Sequence, residues 1–358
     1  MKIWFILITV SLFTSVSVNS YSQGCMGGSS DGVNLKGFIQ PQFNYFLNGE
    51  DDEGNSLNEN NFTFNRARIG VLGSIPYDID YYFFIETSSF KTPGATPHLL
   101  DAYVSYTRFG KWAKISMGQF KSAFSQEQNT SCSGLYTVNR SEVVNQLAGP
   151  QRDLGMLISG GNDTMLISYS IGLMNGTGIN VADNNNNKEI VSRLVIKPME
   201  YLSFGGSLRL GKMNPTDVSE KLNDIVRYGG EIQFMHKGIL FQSEIIIGED
   251  KLYSPSKIPI YGGCGGIVGY DTKLEGTYKK GGYLFMAAYK TKWNIEPVLK
   301  FDSWDPDFND SEDWSNYITY GINYYVNDYS RLQINYVNVI EGVSEDNDLI
   351  MIQLQAKF

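Results

Sequence analysis

Apolar and polar side chains alternate along most of the chain from Val33 onward, in segments of about ten residues separated by turns. The last segment shows the pattern clearly, because Ile350, Ile352 and Leu354 alternate with Gln353 and Gln355. Successive side chains of a strand point to opposite faces, so each segment has one apolar and one polar face. Repeated segments of this kind predict an all-β chain: an antiparallel transmembrane β-barrel, with its apolar faces toward lipid and its polar faces toward the lumen.

The alternation predicts sixteen strands, at residues 33–47, 62–75, 79–88, 99–108, 112–118, 153–160, 164–173, 189–197, 201–210, 225–235, 239–249, 274–289, 293–303, 316–325, 329–340 and 348–358. Seven short turns alternate without a break with eight long loops. Outer-membrane barrels have an even number of strands, short periplasmic turns and longer outer loops. We therefore expect a 16-stranded barrel at 33–358 with both termini on the periplasmic side.

The longest connection, residues 119–152, is the third long loop. It mixes Lys121, Arg140 and Arg152 with aromatic residues and a helix-like run, Ser141 to Leu147. Loops of this length in compact proteins are usually functional. We expect this one to fold inward and to constrict the barrel.

Aromatic side chains cluster near the short turns, among them Tyr77, Trp112 and Trp293. Amphipathic rings prefer the headgroup level of a membrane, so these residues predict the periplasmic aromatic girdle. The alternative is that they are ordinary strand aromatics of a soluble β-sandwich.

Residues 1–22 have the features of an export signal, with a charged start at Lys2, an apolar run and a small-x-small cleavage site at Ser20 to Ser22. Residues 23–32 would form a short segment before the barrel. Lipid attachment at Cys25 is an alternative, although the preceding residues lack the usual apolar position. No later stretch has the ~18 consecutive apolar residues of a spanning helix.

The formal net charge is −9, which argues against a nucleic-acid partner. The lumen is nevertheless predicted to be basic. An Arg that faces lipid at the bilayer midplane would cost about 2–4 kcal/mol, so the basic residues of the strands are assigned to the lumen face. Ten cations would line it: Lys36, Arg66, Arg68, Lys114, Arg193, Arg209, Arg227, Lys300, Arg331 and Lys357. Six acidic residues would share it: Glu86, Asp101, Glu231, Glu244, Glu296 and Asp302.

Rings of Arg and Lys select anions in pores, so the lumen and the long loop predict an anion preference. Mixed charged walls also occur in water-filled barrels of weak selectivity, which is the alternative. The acidic run from Asp305 to Asp310 could ligate Ca²⁺ or be a solvated outer loop, and the second interpretation is preferred.

Catalysis finds little support, because His98 and His236, the two histidines, are predicted on opposite sides of the membrane. We therefore expect no enzyme, no catalytic residue, no cofactor and no metal site. Cys25, Cys132 and Cys264 have no metal-ligand spacing. One disulfide is possible in an oxidising compartment, most plausibly between Cys132 and Cys264, but an odd count leaves the pairing open.

Four stretches resemble the phosphate-selective porin O and P family: FNRARIGVLGSIPYDIDYYFFIE (64–86), residues 101–128, GPQRDLG (149–155) and SWDPD (303–307). The resemblance implies a sixteen-stranded, trimeric barrel whose third outer loop forms a cationic constriction. It assigns anion contacts to Arg66, Arg68, Lys121 and Arg152. The sequence departs from the family in one respect, because Arg193, Arg209 and Arg227 occur singly on three strands instead of forming a dense ladder.

Together these observations predict a porin in the outer membrane of a Gram-negative bacterium, passing small solutes with a preference for anions, with phosphate as a candidate. The expected anion contacts are Arg66, Arg68, Lys121, Arg140, Arg152, Arg209 and Arg227. Expected partners are small anions, outer-membrane lipid and lipopolysaccharide, and two further copies in a homotrimer. The alternative is a barrel with little channel activity that serves as a scaffold or partner subunit for another outer-membrane protein.

Overall fold

A computed structural model of the protein describes residues 33–51, 53–88, 97–162, 164–217, 220–263, 266–343 and 345–358. The predicted signal peptide, the segment 23–32 with Cys25, and Cys264 lie outside the described residues.

The described chain consists almost entirely of strands, as expected from segments rich in β-branched and aromatic residues. In chain order they are β1 Asn34–Leu47, β2 Glu59–Ile75, β3 Ile79–Glu86, β4 His98–Tyr106, β5 Lys114–Lys121, β6 Arg152–Gly160, β7 Ile167–Met174, β8 Glu189–Met199, β9 Leu202–Met213, β10 Asn223–His236, β11 Ile239–Leu252, β12 Ser256–Tyr261, β13 Ile267–Lys273, β14 Gly276–Tyr289, β15 Ile295–Asp305, β16 Ser315–Tyr325, β17 Ser330–Glu341 and β18 Asp348–Lys357. Between β5 and β6 lie two short helices, α1 Gln126–Asn129 and α2 Glu142–Leu147, and a 3₁₀ turn at Cys132–Gly134. None of the described helices is long and apolar enough to cross a membrane.

Sixteen of these strands form a closed antiparallel barrel, in which β1 pairs with both β2 and β18. This confirms the predicted 16-stranded barrel. β12 and β13 do not join the barrel and pair with each other as a separate hairpin between β11 and β14. The prediction that residues 250–273 form a loop without strands was therefore wrong. These two strands are short and interrupted by a glycine-rich turn, so they resemble loop sequence, and packing on the barrel mouth stabilises them.

The two faces of β18 are oriented as predicted. Ile352 and Leu354 are 39% and 51% exposed, whereas Gln353 and Gln355 are 0% and 2% exposed. On β1, likewise, Ile39 faces outward. Large apolar side chains on the outside of a barrel are stable when lipid covers them, so the exposure pattern marks the lipid-facing surface.

An apolar patch inside the barrel determines where α2 lies. Val143, Val144 and Leu147 form one face of α2 and are buried against Ile246 of β11 and Leu284 of β14. Burial of each aliphatic side chain stabilises the docked helix by about 1.5–3 kcal/mol relative to exposure to water. The lumen wall is apolar at these two positions, and this lets the loop dock there instead of remaining in solvent.

Gly282 of β14 lies where α2 approaches the wall most closely. A Cβ built on Gly282 would be 3.1 Å from Cβ of Val143 and 1.9 Å from the backbone oxygen of Ser303. Only glycine allows both neighbours to remain in place.

Candidate functional site in the barrel lumen

The connection between β5 and β6, residues 122–151, is called the inner loop below. Among the described residues, its atoms are hydrogen-bonded to side chains of nine strands, namely β1, β2, β5, β9, β11, β15, β16, β17 and β18. Its 2.8 Å bond from the backbone nitrogen of Val138 to Asn335 of β17 is an example. These strands lie on different sides of the barrel wall. The inner loop therefore crosses the lumen.

Wall carboxylates anchor both helices of the inner loop. Glu244 of β11 accepts hydrogen bonds from the backbone nitrogens of Gln126 and Glu127 at 3.3 and 3.2 Å. Asp302 of β15 accepts one from the nitrogen of Glu142 at 3.1 Å. The first N–H groups of a helix have no partner inside the helix, so these carboxylates satisfy donors that would otherwise be buried and unpaired.

The inner loop separates two main cavities. The outer cavity, of about 650 Å³, opens toward the end of the barrel that carries the long loops and includes Arg140 and Lys300. The inner cavity, of about 430 Å³, lies toward the end with the short turns and includes Lys36, Arg68 and Cys132.

The two cavities differ in charge. Among the described residues, six cations line the inner cavity, and Asp101 is its one acidic side chain. These cations are Lys36, Arg68, Lys114, Lys121, Arg152 and Lys357. The outer cavity has Arg140 and Lys300 together with three acidic residues, Glu142, Asp302 and Glu341. The positive part of the lumen is therefore on the short-turn side of the inner loop.

Two of the six cations in the inner cavity are neutralised by wall carboxylates. Arg68 pairs with Glu86 at 2.7 Å, and Arg152 pairs with Asp101 at 3.1 Å. Lys36, Lys114 and Lys357 form no salt bridge with another described residue. These three lysines therefore supply most of the positive charge that a solute would meet.

Lys121 and Arg152 are strand residues rather than loop residues, and they face each other in the β5–β6 register. Lys121 donates to the backbone oxygen of Thr130 at 3.2 Å. Arg140 donates to the backbone oxygens of Glu127 and Thr130 at 3.0 and 2.7 Å. Part of the hydrogen-bonding capacity of these cations is therefore used to hold the inner loop in shape.

Arg209 and Arg227, which the sequence grouped with the other anion contacts, lie in a different place. They face each other directly across β9 and β10 and line a side cavity of about 320 Å³. Like charges directly opposite each other destabilise a sheet unless they are compensated. Glu189 lies 3.6 Å from Arg209, and Asp250 pairs with Arg227.

Two charged lumen residues, Lys280 and Glu189, were not predicted from the sequence. Lys280 pairs with Asp250 at 2.8 Å, and Glu189 is buried beside Arg209. Lys280 lies on β14, a strand whose alternation is poor, and Glu189 is the first residue of β8. The signal for both was weak because lumen phase can be read only where alternation is regular.

Cys132 is a buried cysteine with a free thiol. The disulfide predicted with Cys264 is therefore not present at Cys132, and Cys264 lies outside the described residues. Sγ of Cys132 accepts two hydrogen bonds, one from Nη1 of Arg68 at 3.1 Å and one from Nη1 of Arg140 at 3.4 Å. The contact between Cys132 and Arg68 could not be predicted from the sequence, because the two residues are 64 positions apart.

The histidines and the acidic run were the remaining candidates for catalysis or metal binding. His98 begins β4 rather than lying in a loop, and His236 ends β10. Within the described ranges, no group of three or more His, Cys, Asp or Glu side chains could hold a metal ion, and this includes the acidic run from Asp305 to Asp310.

The family described as "Phosphate-selective porin O and P" matches residues 33–358. No curated protein sequence matches significantly.

Solved structures share the fold of this chain. The anion-selective porin from Comamonas acidovorans has a TM-score of 0.68 and 13% identity, covering 92% of this chain and 100% of that one. OmpT of Vibrio cholerae, in a trimer form, has a TM-score of 0.64 and 9% identity over 92% and 100% of the two chains. The outer-membrane channel DcaP of Acinetobacter baumannii has a TM-score of 0.63 and 14% identity over 93% and 99%.

Proposed function

We propose that this chain, which belongs to the phosphate-selective porin O and P family, passes small anions in preference to cations. It is an outer-membrane porin, a β-barrel that lets small solutes diffuse through its lumen. Both the family and the fold are those of a channel. The proposal concerns which solutes pass and which residues select them.

The main support for an anion preference is the charge of the inner cavity, which is lined by six cations and one acidic side chain. Field lines from charges in a narrow, low-dielectric lumen are focused along the pathway and raise the local concentration of anions. Rings of Lys and Arg select anions in other pores by the same effect. Because Arg68 and Arg152 are paired with carboxylates, we assign most of the selectivity to Lys36, Lys114 and Lys357.

The inner loop supports the second part of the proposal, that residues 119–152 form the constriction. Arg140 lines the outer cavity, whereas Lys121 and Arg152 line the inner cavity, so we propose that a solute crosses the inner loop between these residues. Arg66 is fully buried and donates to Gln40 and to the backbone oxygen of Val138 at 3.1 and 3.3 Å. We propose Arg66, Arg68, Lys121, Arg140 and Arg152 as the cations nearest to a passing anion.

Phosphate is the anion that the family description names, and the inner cavity suits it. Lysine is a common phosphate ligand, and arginine forms charge-assisted hydrogen bonds to phosphate oxygens. Arg209 and Arg227 line the side cavity, so we propose for them a contribution to the field rather than direct contact with a solute in the inner cavity.

The test is the reversal potential of the purified protein in a planar bilayer under a KCl gradient, repeated as phosphate is added. An anion-selective current that phosphate reduces would support both the selectivity and the phosphate site. A current that is unselective or cation-selective would refute the assignment of the inner cavity as a filter.

A second candidate function is a scaffold or partner subunit with little channel activity. It is favoured by the inner loop, which contacts strands on several sides of the barrel and packs a buried apolar cluster inside the lumen. A single-channel conductance indistinguishable from the bare bilayer would support it, and appreciable conductance would exclude it.

Assembly and export also remain proposals. We propose a homotrimer because a porin of the same fold is described in a trimer form. Crosslinking of the protein in native membranes would reveal the oligomer. The export signal at residues 1–22 can be tested by N-terminal sequencing of the mature protein.

A further inference from the structure

Cys132 lies at the boundary between the two cavities. Its thiol accepts hydrogen bonds from Arg68, which lines the inner cavity, and from Arg140, which lines the outer one. Cys132 itself is 4% exposed and lines the inner cavity.

A second feature shows that this place suits an anionic group. Arg66 is 0% exposed, and its Nε and Nη2 have no hydrogen-bond partner. Its Nη1 bonds Gln40, and Gln40 in turn bonds the backbone oxygen of Cys132 at 3.3 Å. A buried guanidinium with unused donors is costly, and an anion at the boundary would satisfy them.

The same cations control the ionisation of the thiol. Burial by itself would raise the pKa of Cys132, but the guanidinium groups of Arg140, Arg68 and Arg66 outweigh it and hold the pKa well below its usual range. The thiolate is the nucleophilic form of cysteine, and neighbouring cations make such cysteines reactive.

We propose that Cys132 is a covalent modification site for small anionic disulfides and thiosulfonates that enter the inner cavity. The thiolate attacks one sulfur of the reagent and forms a mixed disulfide. The other half leaves with the electron pair of the broken bond, as a thiolate from a disulfide or as a sulfinate from a thiosulfonate. No other oxidant or reductant is consumed.

The adduct extends from Cys132 into the inner cavity and brings its anionic group among the cations that line it. It therefore reduces the free volume of this cavity and neutralises positive charge there. We expect a smaller current and a weaker anion preference after modification, and both return when a small thiol reverses the exchange.

The test uses full-length protein in which Cys25 and Cys264 are replaced by serine, so that Cys132 is the remaining thiol. The folded protein is treated with sulfonatoethyl methanethiosulfonate, which is anionic, or with trimethylammonioethyl methanethiosulfonate, which is cationic. Mass spectrometry follows the adduct, and planar-bilayer recording follows the current. We expect the anionic reagent to react at least about tenfold faster, because the cationic cavity concentrates it.

Ser133, the next residue, also lines the inner cavity and provides a matched control. The double variant Cys132→Ser/Ser133→Cys moves the thiol by one position, away from the hydrogen bonds of Arg68 and Arg140. We expect its labelling to be at least about tenfold slower, because it lacks the contacts that favour the thiolate. Arg140→Gln should slow the labelling of Cys132 in the same direction.

Two results would overturn the proposal. One is the absence of an adduct on Cys132 in the folded protein while the denatured protein is labelled. The other is equal rates for the two reagents and for the two cysteine positions. Labelling is read by mass, so a protein that labels at Cys132 but shows no ion selectivity would contradict only the proposed function.

Discussion

The guanidinium of Arg152 holds the carboxylate of Asp101 with two hydrogen bonds, from Nε at 3.1 Å and from Nη2 at 3.3 Å. Both side chains are nearly buried, at 5% and 7% exposure. Arg152 begins β6, where the chain leaves the inner loop. The pair therefore fixes the end of the inner loop to β4, and neutralises a cation that the sequence suggested as an anion contact.

Arg152→Gln should destabilise the barrel, because it leaves the Asp101 carboxylate buried without its partner. Loss of one partner of a buried pair costs about 3–5 kcal/mol, and we expect a decrease of this size in the free energy of unfolding. Urea unfolding in lipid vesicles, followed by tryptophan fluorescence, measures it. The double variant Arg152→Gln/Asp101→Asn should recover most of the loss, and a double variant as unstable as the single one would contradict this account.

Replacing Lys36, Lys114 and Lys357 together by Glu should move the reversal potential toward cation preference. The substitutions reverse the sign of the net side-chain charge in the inner cavity, which has six cations and one acidic residue in the native protein. Lys292→Glu is the control, because this exposed lysine is in a short turn at the same end and does not line the cavity. An unchanged reversal potential in the triple variant would show that selectivity arises elsewhere.

Glu244→Leu should loosen the inner loop. The backbone nitrogens of Gln126 and Glu127 would lose their acceptor, at about 1–3 kcal/mol for each buried donor left unpaired. Single-channel recordings should show more frequent interruptions, and proteases should cut more readily within 122–151. Glu249→Leu on the same strand is the control, because Glu249 faces Lys279 rather than the inner loop. Equal behaviour of the two variants would refute the anchoring role.

Deletion of Phe358 should reduce the amount of folded protein in the outer membrane. Phe358 and Gly37 exchange two backbone hydrogen bonds of 2.9 Å where β18 meets β1 and closes the barrel. The ring of Phe358 also covers Gly37, since a Cβ there would be 2.6 Å from Cζ of the ring. Heat-modifiable mobility of membrane fractions measures the folded amount.

Two further variants separate the causes of that loss. Phe358→Tyr keeps both the ring and the backbone bonds and should assemble normally. Gly37→Val crowds both the ring and the backbone oxygen of Arg68, which a Cβ would approach to 2.7 Å, and should also reduce the folded amount. Normal levels of the deletion protein would show that neither the terminal ring nor these bonds matter for insertion.

Charge placement shows where sequence reasoning reached its limit. The phase of β2 correctly placed Arg66 and Arg68 inside, because a one-residue slip would have turned both toward lipid. It could not show that Arg68 meets Cys132, or that Arg66 retains unused donors. Those facts depend on the path of the inner loop, which has no strand periodicity to reveal it.

The sequence by itself determined the barrel, its sixteen strands and, wherever the alternation is regular, the face that a strand turns to lipid. It could do so because a bilayer requires one apolar face on every strand. This requirement produces a local sequence pattern, an alternation of apolar and polar residues with a period of two. The tertiary structure alone decided that the lumen divides into a basic inner cavity and a more acidic outer one, with Cys132 between them. These features arise from contacts between residues far apart in the chain, and each strand's own pattern is compatible with many such arrangements.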